Sequence, residues 1–136
     1  MKHLLLKTIA AVLFVGCSGF KRSVSVASFQ MPTRGICAHR GVSNSHPENT
    51  IAAFREAIRL GVHMIELDVA LSSDGYLVLM HDHTVDRTTD GSGIVGELTL
   101  VDLKNLDAGL WKDSRFRGEK IPTLKEAIDI MPYNIW

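Results

Sequence analysis

Charge of a single sign is missing from this 136-residue chain, where 15 lysines and arginines stand against 15 aspartates and glutamates. A formal net charge of zero gives no electrostatic ground for gripping nucleic acid or an acidic membrane surface, and no nucleic-acid partner is expected. Cysteine is nearly absent, with two in all. Cys17 and Cys37 have no zinc-type spacing and no reason to pair with each other. Cys37 sits in an apolar run, where a free cysteine is expected to act as a small buried hydrophobe. Internal repeats and low-complexity tracts are missing as well. The apolar run from Ile9 to Val15 falls far short of the roughly 20 residues that cross a bilayer.

That run has another use. Lys2 and Lys7 surround a short positive region ahead of it, and the order of charge, apolar stretch and small residues fits a secretory signal. Phe14-Val15-Gly16-Cys17 resembles a bacterial lipoprotein signal, in which Cys17 would be lipidated and would attach the protein to a membrane. Leucine is usual where Phe14 stands, and cleavage after Ser25-Val26-Ala27 is the alternative. Ser18 to Thr33 is polar, serine-rich and irregular, so it reads as a tether. Residues 1–33 are thus expected to be signal and linker. The protein is expected to be exported, either periplasmic or a membrane-anchored lipoprotein.

Residues 34–136 alternate between strand and helix patterns. Ile36-Cys37-Ala38 reads as a short buried strand ending at His39, with Gly41 allowing a sharp turn. Val42 to Glu48 is a loop. Asn49 or Thr50 can cap a helix to about Leu60, with Ile51, Phe54, Ala57 and Ile58 at helical spacing and Gly61 as its stop. Met64 to Leu71 reads as one continuous strand. It places Met64, Glu66, Asp68 and Ala70 on one face and Ile65, Leu67, Val69 and Leu71 on the other. Ser73-Asp74-Gly75 is a turn, and Tyr76 to Met80 is a strand ending at His81. Thr99 with Asp102, and Thr123 with Glu126, begin two further helices at capping-box spacing. Pro132 ends the second, and Asn134 to Trp136 starts another strand. This is the opening of a parallel α/β barrel, which usually takes about 250 residues. The chain is therefore expected to supply about its first half, as a truncated barrel domain.

The chemistry lies at the strand ends. Glu66 and Asp68, two apart on a strand, point the same way. Facing inward they repel unless a cation lies between them, and oxygen donors favour Ca²⁺ or Mg²⁺ over zinc. A solvent-facing edge is the plain alternative, but the apolar opposite face should pack on helices and turn the acids inward. His39 and His81 each close an apolar strand, where barrel active sites lie, and histidine can serve as acid or base near neutral pH. Splitting a phosphodiester needs both roles. Arg40 can hold a phosphate by parallel hydrogen bonds, pair with Glu48 or another acid, or do both. Glu48 then supports the metal site or orients that arginine. Asn49 is expected to support the site, although it and Thr50 have an ordinary use as helix caps, and Asp82, also a supporting residue, can orient a histidine or fix the loop. His46, His63 and His83 read as structural or surface residues.

Taken together, Ala38-His39-Arg40-Gly41, Pro47-Glu48-Asn49-Thr50, Glu66-Leu67-Asp68-Val69, Asp74-Gly75, His81-Asp82, Arg87-Thr88-Thr89, Gly91-Ser92-Gly93 and Ile121-Pro122-Thr123-Leu124 resemble the glycerophosphodiester phosphodiesterase family. The likeness runs from about Ile36 to Trp136. It implies a TIM-type (β/α)8 barrel that hydrolyses glycerophosphodiesters to glycerol phosphate and an alcohol. It implies His39 and His81 as the acid/base pair, Glu66 and Asp68 as ligands of one divalent cation, Arg40 as a phosphate contact and Glu48 as an active-site residue. A third acidic ligand and a lysine usual in the family would fall past Trp136. Two alternatives remain: a related barrel phospholipase of the sphingomyelinase D or phosphoinositide-cleaving kind, and a non-catalytic module that binds phosphodiesters.

Overall fold

Every strand in the computed structural model is three residues long, so helix packing and loop bonds carry much of the organisation. The model describes residues 33–135. The expected signal, Cys17 and Trp136 lie outside the described residues. Among those described, no helix is long and apolar enough to cross a membrane.

Strand β1, Cys37–His39, pairs in parallel with β2, Met64–Glu66, through helix α1, Ile51–Arg59. Thr50, not Asn49, caps α1, its hydroxyl accepting the Ala53 N–H. At the other end Gly61 has φ +71°. The Gly61 N–H reaches Ile58 O at 3.0 Å and the Val62 N–H reaches Ala57 O at 3.3 Å, the paired closure of a Schellman motif. Ala53, Phe54 and Ala57 are buried and turn α1 onto the strands. Gly41 is required at its turn, because its φ is +77° and a Cβ there would lie 2.7 Å from the Ala53 Cβ.

The continuous strand expected over Met64 to Leu71 is broken. β2 stops at Glu66, and β3, Val69–Leu71, belongs to a second sheet with β4, Leu77–Leu79, in antiparallel register. The reason sits at Asp68. Its N–H donates to the Asn49 side chain at 3.1 Å instead of to a strand, while its carbonyl accepts the Met80 N–H at 3.1 Å. The chain thus leaves the first sheet and enters the hairpin. The expected apolar face ends with it: Ile65 is buried, whereas Val69 and Leu71 are exposed. Ser72 to Tyr76 closes the hairpin, with Gly75 at φ +87° and the Ser72 hydroxyl donating to Asp74.

Helices α2, Leu100–Asn105, and α3, Leu124–Ile130, both carry the expected capping boxes. The expected strand from Asn134 is not present in the described part, where residues 133–134 form a turn after α3. Cys37 is exposed rather than buried, because only Ala38 of β1 faces the core.

Two apolar clusters meet at β4. Leu79 packs with Ala38, Phe54, Ala57, Ile65 and Ala127. Val78 and Met80 face the other way, toward Val85, Val95, Leu103, Ala108 and Ile121. The Pro122 carbonyl accepts the Leu79 N–H at 2.9 Å, tying the entry to α3 against β4. The parallel β1–α1–β2 unit is the opening of a TIM-type barrel, and the β3–β4 hairpin is attached to its second strand.

Candidate active site

His39 ends β1 and lies opposite Glu66 in the parallel register. This places the imidazole Nε2 3.9 Å from Glu66 Oε2, with the ring 65% exposed. The chain then turns through Arg40, whose φ is +55°. That left-handed conformation is costly for a residue with a Cβ. It aims the Arg40 N–H at Glu66 Oε2, 3.0 Å away. Asn49 has φ +56°, and its N–H donates to the Arg40 carbonyl at 3.0 Å. The two strained residues thus hold each other. Asn49 also grips Asp68 at two points, donating Nδ2 to Oδ2 at 2.9 Å and accepting the backbone N–H at 3.1 Å.

The Arg40 side chain gathers two acids beside the first sheet. Its Nη1 donates to Glu48 Oε1 at 3.0 Å. Its Nε lies 3.1 Å from Asp68 Oδ2, yet it is buried without a hydrogen-bond partner, so that contact is ionic rather than a formed hydrogen bond. Of the two readings for this arginine, the pairing with Glu48 is what the described residues display. Glu66 and Asp68 both contact Arg40, Glu66 through its backbone N–H and Asp68 through Nε, but not as neighbours on one strand face, since β2 ends at Glu66. Among the described residues, no group of three or more His, Cys, Asp and Glu side chains is arranged to hold a metal ion.

His81 reaches this place by a route that the reading of parallel strands did not contain. β4 runs antiparallel to β3, and β3 departs from Asp68. The hairpin therefore returns its C-terminal end to the site, with Val69 opposite Leu79. The His81 Nδ1 is 2.6 Å from Asp82 Oδ1.

The residue that single-residue reading passed over is Arg87, noted only as part of a motif. Its Nε and Nη2 donate to Asp82 at 2.7 and 3.0 Å. Its Nη1 and Nη2 donate to Glu48 at 3.1 and 2.7 Å. An unbroken line of ion pairs and hydrogen bonds results: Asp68, Arg40, Glu48, Arg87, Asp82, His81. The spacing of 39 residues between Glu48 and Arg87 carried no signal that they meet.

The electrostatics follow. The Arg87 guanidinium holds the Glu48 carboxyl below its ordinary range, against the burial that pushes it up, with Arg40 adding to the effect. Arg87 and then His81 hold Asp82 well below the usual carboxylate range. Asp82 and Glu48 in turn raise Arg87. Two guanidinium groups here face the carboxylates of Glu48, Asp68 and Asp82, and Glu66, bonded to the Arg40 backbone N–H, adds a fourth carboxylate, which leaves an excess of negative charge.

The loop holding Arg40 to Glu48 is braced from outside. Lys112 Nζ donates to Ser43 O at 2.7 Å and Arg115 Nη2 to Ser45 O at 2.9 Å. His46 lies against the Phe116 ring, with centroids 4.9 Å apart. His63 accepts the Ile36 N–H at 3.1 Å. Both histidines are structural, as expected.

Comparisons with known proteins point to one family. The model of the glycerophosphoryl diester phosphodiesterase family matches residues 39–136. A glycerophosphodiester phosphodiesterase of Caldanaerobacter subterraneus is 54% identical over 96 residues, covering 71% of this chain and 40% of its own length. A solved phosphodiesterase of Oleispira antarctica, in complex with the product sn-glycerol-3-phosphate, superposes with a TM-score of 0.69 at 47% identity, over 71% of this chain and 39% of its own. The glycerophosphodiester phosphodiesterase of Agrobacterium tumefaciens gives a TM-score of 0.67 at 45% identity, over 68% and 40%. The chain therefore spans about two fifths of the length of these relatives.

Proposed function

The chain belongs to the glycerophosphoryl diester phosphodiesterase family, and from that premise we propose that the protein hydrolyses glycerophosphodiesters to glycerol 3-phosphate and an alcohol, as part of lipid metabolism. The observation that carries the reading is the line of charges joining Asp68 to His81, with His39 and Glu66 beside its first members. It sets two histidines and an arginine around one acidic centre, the parts that phosphodiester hydrolysis needs. The product complex of the Oleispira relative supports the choice of substrate class.

His39 and His81 serve as general acid and base. One takes the proton of the attacking hydroxyl or water, and the other gives a proton to the leaving oxygen. His81 is suited to its part because Asp82 engages Nδ1 and leaves Nε2 for proton exchange. Arg40 would meet the phosphate with the edge of its guanidinium not engaged by Glu48 and Asp68. Glu48 orients Arg40, and Asn49 orients Asp68.

Glu66 and Asp68 would hold one divalent cation, Ca²⁺ or Mg²⁺. Their donors are oxygens, and the four carboxylates of Glu48, Glu66, Asp68 and Asp82 outnumber the two guanidinium groups of Arg40 and Arg87. When bound, such an ion stabilises charge developing on the phosphoryl oxygens. Export, with Cys17 lipidated or with cleavage after Ala27, completes the proposal and rests on the sequence alone.

The test is release of glycerol 3-phosphate from glycerophosphocholine by the full-length protein. His39→Ala and His81→Ala should each lower kcat by roughly 10²- to 10⁴-fold, and a chelator should remove activity. Activity that survives either treatment would overturn the mechanism.

A further inference from the structure

We infer that Arg87 is a positioning residue for this hydrolysis: its one guanidinium clamps Asp82, and through it the His81 imidazole, onto Glu48 and Arg40. The inference rests on the hydrolysis proposed above and adds a residue that acts through others rather than on the substrate.

Three features of Arg87 support it. First, the guanidinium makes four hydrogen bonds to two carboxylates that are 34 residues apart in the sequence, two to Asp82 and two to Glu48. Each of these carboxylates has a second partner. Asp82 Oδ1 also meets His81 Nδ1, and Glu48 Oε1 also accepts Arg40 Nη1. Arg87 is therefore the link between the half of the site on β1 and β2 and the half at the end of β4. A planar fork can bind two carboxylates at once, whereas an ammonium is a point charge.

Second, the segment that carries Arg87 is anchored although it has no helix of its own. Val85, Thr88 and Thr89 are buried. Thr89 donates to Val85 O at 2.8 Å, the Val85 N–H reaches Gly93 O at 3.0 Å, and Thr84 bridges Ile94. The base of the Arg87 side chain is therefore fixed, and a side chain fixed at both ends transmits position.

Third, Asp82 is useful to His81 only as an acceptor. An ionised Asp82 takes the Nδ1–H hydrogen bond and so selects the tautomer and ring orientation that leave Nε2 for chemistry. Arg87 satisfies the remaining acceptor positions of that carboxylate and pins its plane.

Arg87→Lys and Arg87→Ala in the full-length protein test this, with glycerophosphocholine turnover and ¹⁵N NMR of the His81 ring as readouts. Arg87→Lys keeps the charge but loses the fork. It is expected to stay folded, to lower kcat by roughly 10- to 100-fold, and to leave KM within about threefold. The His81 nitrogen shifts should move away from a fixed Nδ1–H form. In the Asp82→Asn background, Arg87→Lys should cost little more, since the carboxylate it positions is gone.

A folded Arg87→Lys protein with unchanged kcat and unchanged His81 shifts overturns the inference. So does a rise in KM alone, which would place Arg87 on the substrate phosphate. Should Arg87→Ala fail to fold, the lysine variant and the double substitution decide. If the wild-type protein releases no glycerol 3-phosphate, the proposed hydrolysis fails, while the His81 shifts of Arg87→Lys still test the positioning role.

Discussion

Asp82 and Glu48 share Arg87, and that sharing sets how the protein answers acid. Both carboxyls are held below their ordinary range in the folded state, with the Arg87 hydrogen bond as the largest lowering cause for each. A lowered folded value adds stability that is complete at neutral pH. It is lost as pH falls below the ordinary carboxylate range of about 4 toward the folded values. Asp82→Asn removes one of the two titrating groups. The variant should be less stable than wild type at neutral pH, and the gap should hold from about pH 7 to about pH 5 and narrow only as pH falls below about 4. Urea unfolding across that range measures it. A gap independent of pH would mean that Arg87 does not hold Asp82 in its ionised form. At this scale the sequence was informative about kind and silent about partnership. His39, Arg40, Glu48, Glu66, Asp68, His81 and Asp82 could be picked out by residue type and strand-end position. That Asn49 serves Asp68 rather than the helix, or that Arg87 serves Glu48, depends on contacts 19 and 39 residues apart, which no local spacing encodes.

The three α-helices of the described residues could be read because their signals are local. Thr50, Thr99 and Thr123 each accept the N–H three residues on, so the bond that starts each helix is written within four residues. These caps are not equal in weight. The Thr50 hydroxyl is buried and also donates to Pro47 O at 2.7 Å, whereas the hydrogen bonds of the Thr123 hydroxyl lie at an exposed helix end. Thr50→Ala should cost about 2–3 kcal/mol, since it removes a cap and leaves a buried carbonyl unpaired. Thr123→Ala should cost about 1 kcal/mol. Equal shifts in the urea midpoint would show that the Pro47 contact contributes nothing. The strands were less legible for the opposite reason. Met64 to Leu71 has the pattern of one strand, and the break between β2 and β3 comes from the distant Asn49 side chain taking the Asp68 N–H.

For the molecule as a whole, β4 is the joint. Leu79 enters the cluster formed with α1, α3 and the first sheet, while its neighbours Val78 and Met80 enter the other. Leu79 is 1% exposed, and His81 lies two residues on. Leu79→Ala should therefore destabilise by about 2–5 kcal/mol and should also weaken activity by loosening the end of β4. A urea midpoint that hardly moves would mean that the two clusters are not joined there. The sequence by itself determined the family, the α2 and α3 caps, the opening α/β order and most of the chemical inventory, because these depend on residue identity and short spacing. Only the tertiary structure decided how the inventory is assembled. Burial left Cys37 outside, the antiparallel hairpin brought His81 back to Asp68, and Arg87 closed the line between the two halves of the site. Each of those outcomes is fixed by which distant groups satisfy one another's charges and hydrogen bonds, and that matching exists only once the chain has folded.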